Sequence, residues 1–101
     1  MRVMIFFDLP VVTAVQRKRY RQFRRSLIKE GFLMIQESVY VRIASNESAA
    51  RLLEQRVASF TPREGIVQSL IITEKQYTGI RFLVGSSSED VRNSIERTIV
   101  I

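Results

Sequence analysis

The chain has 101 residues, no cysteine and no histidine, with 16 Lys/Arg against 10 Asp/Glu for a net charge of +6. That length fits one domain with a real but modest core. The missing residue types exclude disulfides, thiol nucleophiles, Ser-His-Asp triads, ordinary zinc sites and imidazole bases. The excess charge is local: residues 1–30 carry eight Lys/Arg and two acids, whereas residues 31–101 carry eight of each. No apolar run reaches the length of a membrane span. The short apolar start MRVMIFF reads as a strand rather than a signal peptide.

Arg2 to Phe7 is a nearly continuous apolar run of strand length, expected to be buried on both faces in the middle of a sheet. Asp8-Leu9-Pro10 ends it, because Pro10 cannot donate to a ladder. Thr13 is a good N-cap for a helix to about Glu30, closed by Gly31. Tyr20, Phe23, Leu27 and Ile28 predict its buried face, while Arg17, Lys18, Arg19, Arg21, Arg24 and Arg25 crowd the rest. Phe32 to Ile43 is β-rich, either one bulged strand or a tight pair around Gln36-Glu37-Ser38. Ser45 or Asn46 caps a second helix through about Phe60, with Leu52, Leu53, Val57 and Phe60 as core candidates. Thr61 to Gly65 is a turn, Ile66 to Thr73 a strand, Glu74 to Thr78 a connection and Ile80 to Val84 a short strand. A tail from residue 86 ends in the strand-like Thr98-Ile99-Val100-Ile101, expected to add to a sheet edge of a partner. With the tight pair, the fold class is α+β: a ferredoxin-like βαββαβ sandwich over residues 1–85, two helices on one face of an antiparallel sheet, with an extra C-terminal strand.

Two features carry chemistry. Seven cations from Arg17 to Lys29 meet no acid until Glu30. Like charges four apart cost a helix about 0.2–0.5 kcal/mol per pair, so a purely structural face would gain from interspersed glutamates. Arg17, Lys18, Arg21, Arg24 and Arg25 are the candidate nucleic-acid contacts, with a largely sequence-blind, salt-dependent mode of binding. A membrane surface is the weaker alternative, because the helix needs its apolar face for the core. The second feature is Asp8, one of only two aspartates. A carboxylate at a strand end can ligate Mg²⁺ or a similar cation such as Mn²⁺ beside a bound phosphate, or it can simply shape a turn. Magnesium keeps waters and takes one or two carboxylates, so a two-fold dimer would supply the second as its own Asp8.

Phe6-Phe7-Asp8-Leu9-Pro10, Tyr20-Arg21-Gln22-Phe23-Arg24, Gly31-Phe32, Gln36-Glu37-Ser38-Val39-Tyr40 and Ile72-Thr73-Glu74-Lys75-Gln76-Tyr77 follow one another along the chain. In this order they resemble the CRISPR-associated protein two family, and the last looks like its type II branch. The resemblance implies a homodimer that bridges integrase subunits (CRISPR-associated protein one) and holds duplex DNA during spacer acquisition, and the absence of cysteine fits a cytoplasmic setting. It also implies a metal-dependent phosphodiesterase acting on RNA or DNA, with Asp8 as metal ligand and catalytic residue. Many members carry tyrosine where this chain has Phe7, which limits that position to packing. The rival expectations are a non-enzymatic DNA scaffold and a stand-alone, toxin-like ribonuclease.

Overall fold

The structure of the chain, a computed structural model, describes residues 1–86. Its elements are β1 (Arg2–Asp8), α1 (Ala14–Lys29), β2 (Leu33–Gln36), β3 (Val39–Ile43), α2 (Glu47–Ala58), β4 (Ile66–Ile72) and α3 (Glu74–Thr78). The antiparallel sheet has the order β2-β3-β1-β4, which is the ferredoxin-like arrangement expected from the sequence.

β1 is central, as its apolar run requires: it pairs with β3 from Arg2↔Ile43 to Phe6↔Val39 and with β4 from Arg2↔Ile72 to Asp8↔Ile66. Its alternation sends Val3, Ile5 and Phe7, followed by Leu9, into the helix-side core with Phe23, Leu27, Tyr40, Ala50, Leu53 and Val57. Met4 and Phe6 face the other side with Val41, Ile72, Ile35, Val39 and Tyr77. The chain between β2 and β3 combines both sequence expectations. A tight pair turns at Glu37-Ser38, with Ser38 at φ 68°, and a register shift lies between Met34 and Gln36.

Thr13 and Gln16 form a reciprocal capping box on α1, and Gly31, at φ 88°, follows the last turn. Asn46 caps α2 through a hydrogen bond from the Ala49 amide at 2.8 Å. Two expected core residues are solvent-exposed. Ile28 is 55% exposed, since it lies four residues beyond Arg24 and seven beyond Arg21, on the charged flank of α1. Leu52 is 60% exposed because it shares a flank with Ser48 and Arg56, while Ala50, Leu53 and Val57 make the buried row. The small Ala50, fully buried, lets α2 approach the sheet closely.

The segment after β4 departs from expectation. Glu74 to Thr78 is a helical turn with its own capping box between Thr73 and Gln76, not a plain connection. Arg2 clamps it: its Nε donates to Glu74 at 2.9 Å, and its guanidinium lies 3.9 Å from the Tyr77 ring centroid. The Arg2 hydrogen bond holds the Glu74 carboxyl below the usual carboxylate range. Ile80 to Val84 is not a strand, because β-prone residues need a ladder partner and these have none among the described residues. Leu83 and Val84 project into solvent. The expected tail strand Thr98–Ile101 lies outside the described residues.

One glycine fixes the end of β1. Gly65 has φ +85°, and a Cβ there would sit 2.5 Å from the Asp8 carbonyl oxygen and 2.9 Å from Leu9. Gly85, at φ +83°, has open space around it. Gly65→Ala should therefore cost about 3 kcal/mol or more, against about 1 kcal/mol for Gly85→Ala, whose backbone alone is strained. Urea unfolding of the two variants checks the difference, and equal costs would mean the Gly65 contact relaxes freely.

Candidate nucleic-acid interface and metal site

The cations of α1 divide into two sets. Arg17 turns back over the helix start, where its Nη1 donates to the carbonyls of Val12 at 2.7 Å and Val11 at 3.2 Å. A cation beside a helix N-terminus opposes the macrodipole, and these carbonyls offset that cost. Arg19 pairs with Glu64 at 3.1 Å, and Gln16 donates to the same carboxylate at 3.1 Å. Arg24 reaches inward, its Nε donating to the hydroxyl of buried Tyr40 at 2.8 Å. Lys18, Arg21, Arg25 and Lys29 have no side-chain partner among the described residues and are exposed. Their spacing of three, four and four puts them in one row, opposite the buried Phe23 and Leu27.

Of the five arginines and lysines expected to touch nucleic acid, the structure thus leaves Lys18, Arg21 and Arg25 free and engages Arg17 and Arg24 internally. It adds Lys29, which the sequence reading counted in the charge but left out of the site. A partner for Arg24 was invisible in sequence, since Tyr40 lies 16 residues away on β3.

Asp8 ends β1 with its side chain exposed and without a hydrogen bond or ion pair among the described residues. Strand alternation decides where it points. Phe7 and Leu9 both enter the helix-side core, so Asp8 faces the opposite side, with Met4 and Phe6. The carboxylate and the cationic row therefore lie on opposite sides of the sheet. Phe7 has a packing role alone: its ring stacks on Tyr40 at 5.7 Å and meets Phe23 edge-on at 5.1 Å.

An unpaired carboxylate at a strand end is a suitable hard oxygen donor for a hydrated divalent cation. Among the described residues no group of three or more Asp, Glu, His or Cys gathers there. The site therefore fits an ion that keeps most of its waters and shares phosphate oxygens, not a dedicated protein cage. The Phe7 amide donates to the Ser38 carbonyl at 3.1 Å, which holds the turn carrying Glu37 to the same end of the sheet as Asp8. Sequence reasoning passed over Glu37, because its nearness depends on the β1–β3 register.

The face that carries Asp8 also holds an apolar groove of about 680 Å³. Met4, Phe6, Val39, Ile72, Tyr77 and Phe82 wall it. Among the described residues no helix is long and apolar enough to cross a membrane.

A family model described as CRISPR associated protein Cas2 matches residues 1–80. The chain is 57% identical over 101 residues, the full length of both proteins, to a protein of Ligilactobacillus salivarius (strain UCC118) named CRISPR-associated endoribonuclease Cas2. A protein of the same name from Treponema denticola is 41% identical, again over both full lengths. The crystal structure of Streptococcus pyogenes Cas2 at pH 6.5 superposes with a TM-score of 0.61 at 15% identity, covering 83% of this chain and 100% of that one, a likeness of fold.

The Arg24–Tyr40 bond predicts a measurable cost. Tyr40→Phe should lower stability by about 1 kcal/mol, since it removes the acceptor of a part-buried hydrogen bond while keeping the ring. Thermal unfolding reads the change, and an unaltered midpoint would show that Arg24 gains as much from water.

Proposed function

The chain belongs to the Cas2 family of CRISPR-associated proteins, and on that premise we propose that it is a homodimeric spacer-acquisition subunit that binds duplex DNA through α1 and cleaves phosphodiesters at Asp8 with Mg²⁺. In this reading it acts in the cytoplasm and bridges integrase subunits, the CRISPR-associated protein one. The observation that carries it is the row Lys18, Arg21, Arg25 and Lys29: four exposed cations with no side-chain partner among the described residues. Such a row costs helix stability through like-charge repulsion, and a phosphate backbone turns that cost into binding by releasing counterions. The row spans about 16 Å of helix axis and presents point charges and forks, not a pattern that reads base edges.

The apolar groove supports the homodimer. A face this apolar, next to exposed Leu83 and Val84, is typical of a surface that another protein covers. An isologous contact there repeats every residue across a two-fold axis and carries the partner's Asp8 toward this chain's own. When bound, Mg²⁺ would polarise the scissile phosphate and lower the pKa of a water. Asp8 holds the cation, and Gly65 and Ser38 fix the backbone on either side of it. The chain has no histidine or cysteine to act as a base near neutral pH, so its own groups orient and bind instead of moving the first proton. The names of the relatives favour RNA as a cleaved substrate. The separation of Asp8 from the cationic row favours a second reading, in which duplex holding is independent of cleavage and the protein serves adaptation as a scaffold alone.

Two measurements test these statements. Replacing Lys18, Arg21, Arg25 and Lys29 by Ala should reduce the slope of log binding constant against log salt by about 3 to 4, whereas Arg17→Ala with Arg24→Ala should leave it nearly unchanged. The reverse pattern would move the footprint to the engaged arginines. Asp8→Asn should lower Mg²⁺-dependent RNA cleavage by about 100-fold or more while duplex affinity stays within about twofold. Cleavage equal to wild type would remove Asp8 from the metal site, and loss of cleavage with intact spacer acquisition would establish the scaffold reading for the cell.

A further inference from the structure

A second, polar groove lies on the helix layer, away from the face that carries Asp8. It has a volume of about 390 Å³, within the range of about 300–1,000 Å³ common for small-ligand clefts. One wall is the Arg19, Gln22 and Ser26 flank of α1, and the other is the segment after α2, with Phe60, Thr61 and Arg63. Phe60 is half-buried: one side of its ring leans on Phe23, with centroids 5.8 Å apart at 52°, and the ring also borders the groove. Arg19 is held in place by Glu64 at 3.1 Å. Gln22 and Arg63 are exposed and have no side-chain partner among the described residues. The Thr61 hydroxyl donates to the Ala58 carbonyl at 3.1 Å, which leaves its lone pairs free to accept.

The position matters as much as the lining. Gln22 is four residues beyond Lys18 and three before Arg25, so the groove opens immediately beside the free cationic row. A ligand for it must combine a flat apolar body, an edge of donors and acceptors for an amide, and negative charge. We propose that the groove receives one unpaired nucleotide of a nucleic acid whose backbone lies on the Lys18, Arg21, Arg25 and Lys29 row. This rests on the nucleic-acid reading of α1 and deepens it. The base stacks over the Phe60 ring, the Gln22 amide meets the base edge and Arg63 meets the phosphate. Base–aromatic stacking of this kind tolerates any base, because every base has a π-face. The protein then prefers a strand with a frayed end or a bulge over a fully paired one, without reading sequence.

The test uses the full chain and a DNA duplex in fully paired form and with a single bulged 2-aminopurine nucleotide, titrated at one salt concentration. The bulged duplex should bind about tenfold more tightly, with a change in 2-aminopurine fluorescence on saturation. Gln22→Ala combined with Arg63→Ala should abolish that preference and leave affinity for the paired duplex within about twofold. These two side chains are exposed, so the pair tests the groove without disturbing Phe60, which packs against the core. An RNA duplex with the same bulge shows whether the sugar matters, and a preference for either bulged form supports the groove. Equal affinity for bulged and paired duplexes of both kinds overturns the proposal while leaving the cationic row intact. Failure to bind any duplex overturns both readings. A preference that survives in the double variant, or displacement of the bulged strand by oligoglutamate as efficiently as by itself, also overturns the nucleotide assignment.

Discussion

The two-sided burial of β1 is the constraint on which the rest of this protein depends. A strand hydrogen-bonded along both edges and packed on both faces cannot slip by one residue without exchanging its two sets of side chains. Val3, Ile5 and Phe7 are committed to the helix-side core, with Phe7 held by aromatic contacts to Tyr20, Phe23 and Tyr40. Met4 and Phe6 are committed to the other face. Asp8 follows by parity, so its direction is set by the packing of neighbours that have no chemistry of their own. The approach of Gly65 to the Asp8 carbonyl then fixes where the strand stops.

The helix layer obeys a different economy, that of charge. α1 has no acid in its first turn and seven cations along its length. The fold engages the ones it can reach: Arg17 on loop carbonyls, Arg19 on Glu64 and Arg24 on Tyr40. It also ties the far end of the helix down with Arg42, which donates to the Glu30 carbonyl, and with the Arg56–Glu30 pair at 2.9 Å. Exposed pairs of this sort contribute little to stability. Their consequence is selective: they engage some cations and leave the row Lys18, Arg21, Arg25 and Lys29 without a side-chain partner among the described residues.

Much of this was legible in sequence because the signals are local. The run Arg2 to Phe7, the Thr13 and Asn46 caps, Gly31 and the turn at Glu37-Ser38 each specify their own neighbourhood, and together they give the ferredoxin-like order. Ile28 and Leu52 misled because hydrophobicity was weighed without the exact angle around the helix, at which each falls on a polar flank. Ile80 to Val84 misled for a different reason. Strand propensity describes fit to a neighbouring ladder, and within the described residues of one chain that neighbour is missing. In the site, Asp8 was visible as a residue type at a strand end, but its direction required the parity of β1. The inward turn of Arg24 required Tyr40, a tertiary contact that no helical spacing encodes.

The opposed directions of Asp8 and the cationic row bear on how one small domain would serve the two proposed roles. A phosphodiester lying on α1 would sit on the other side of the sheet from the face that Asp8 shares with Met4 and Phe6. A substrate for the carboxylate must therefore reach the other face, the one with the apolar groove. If two copies meet there, the paired carboxylates lie inward and the two cationic rows lie outward on opposite sides of the dimer. That geometry lets a duplex be held on the outside whatever happens at the centre. It would also make access to the paired Asp8 residues depend on how tightly the two sheets close, so the proposed cleavage is the activity that a change in dimer packing would alter first, with the proposed duplex binding left in place.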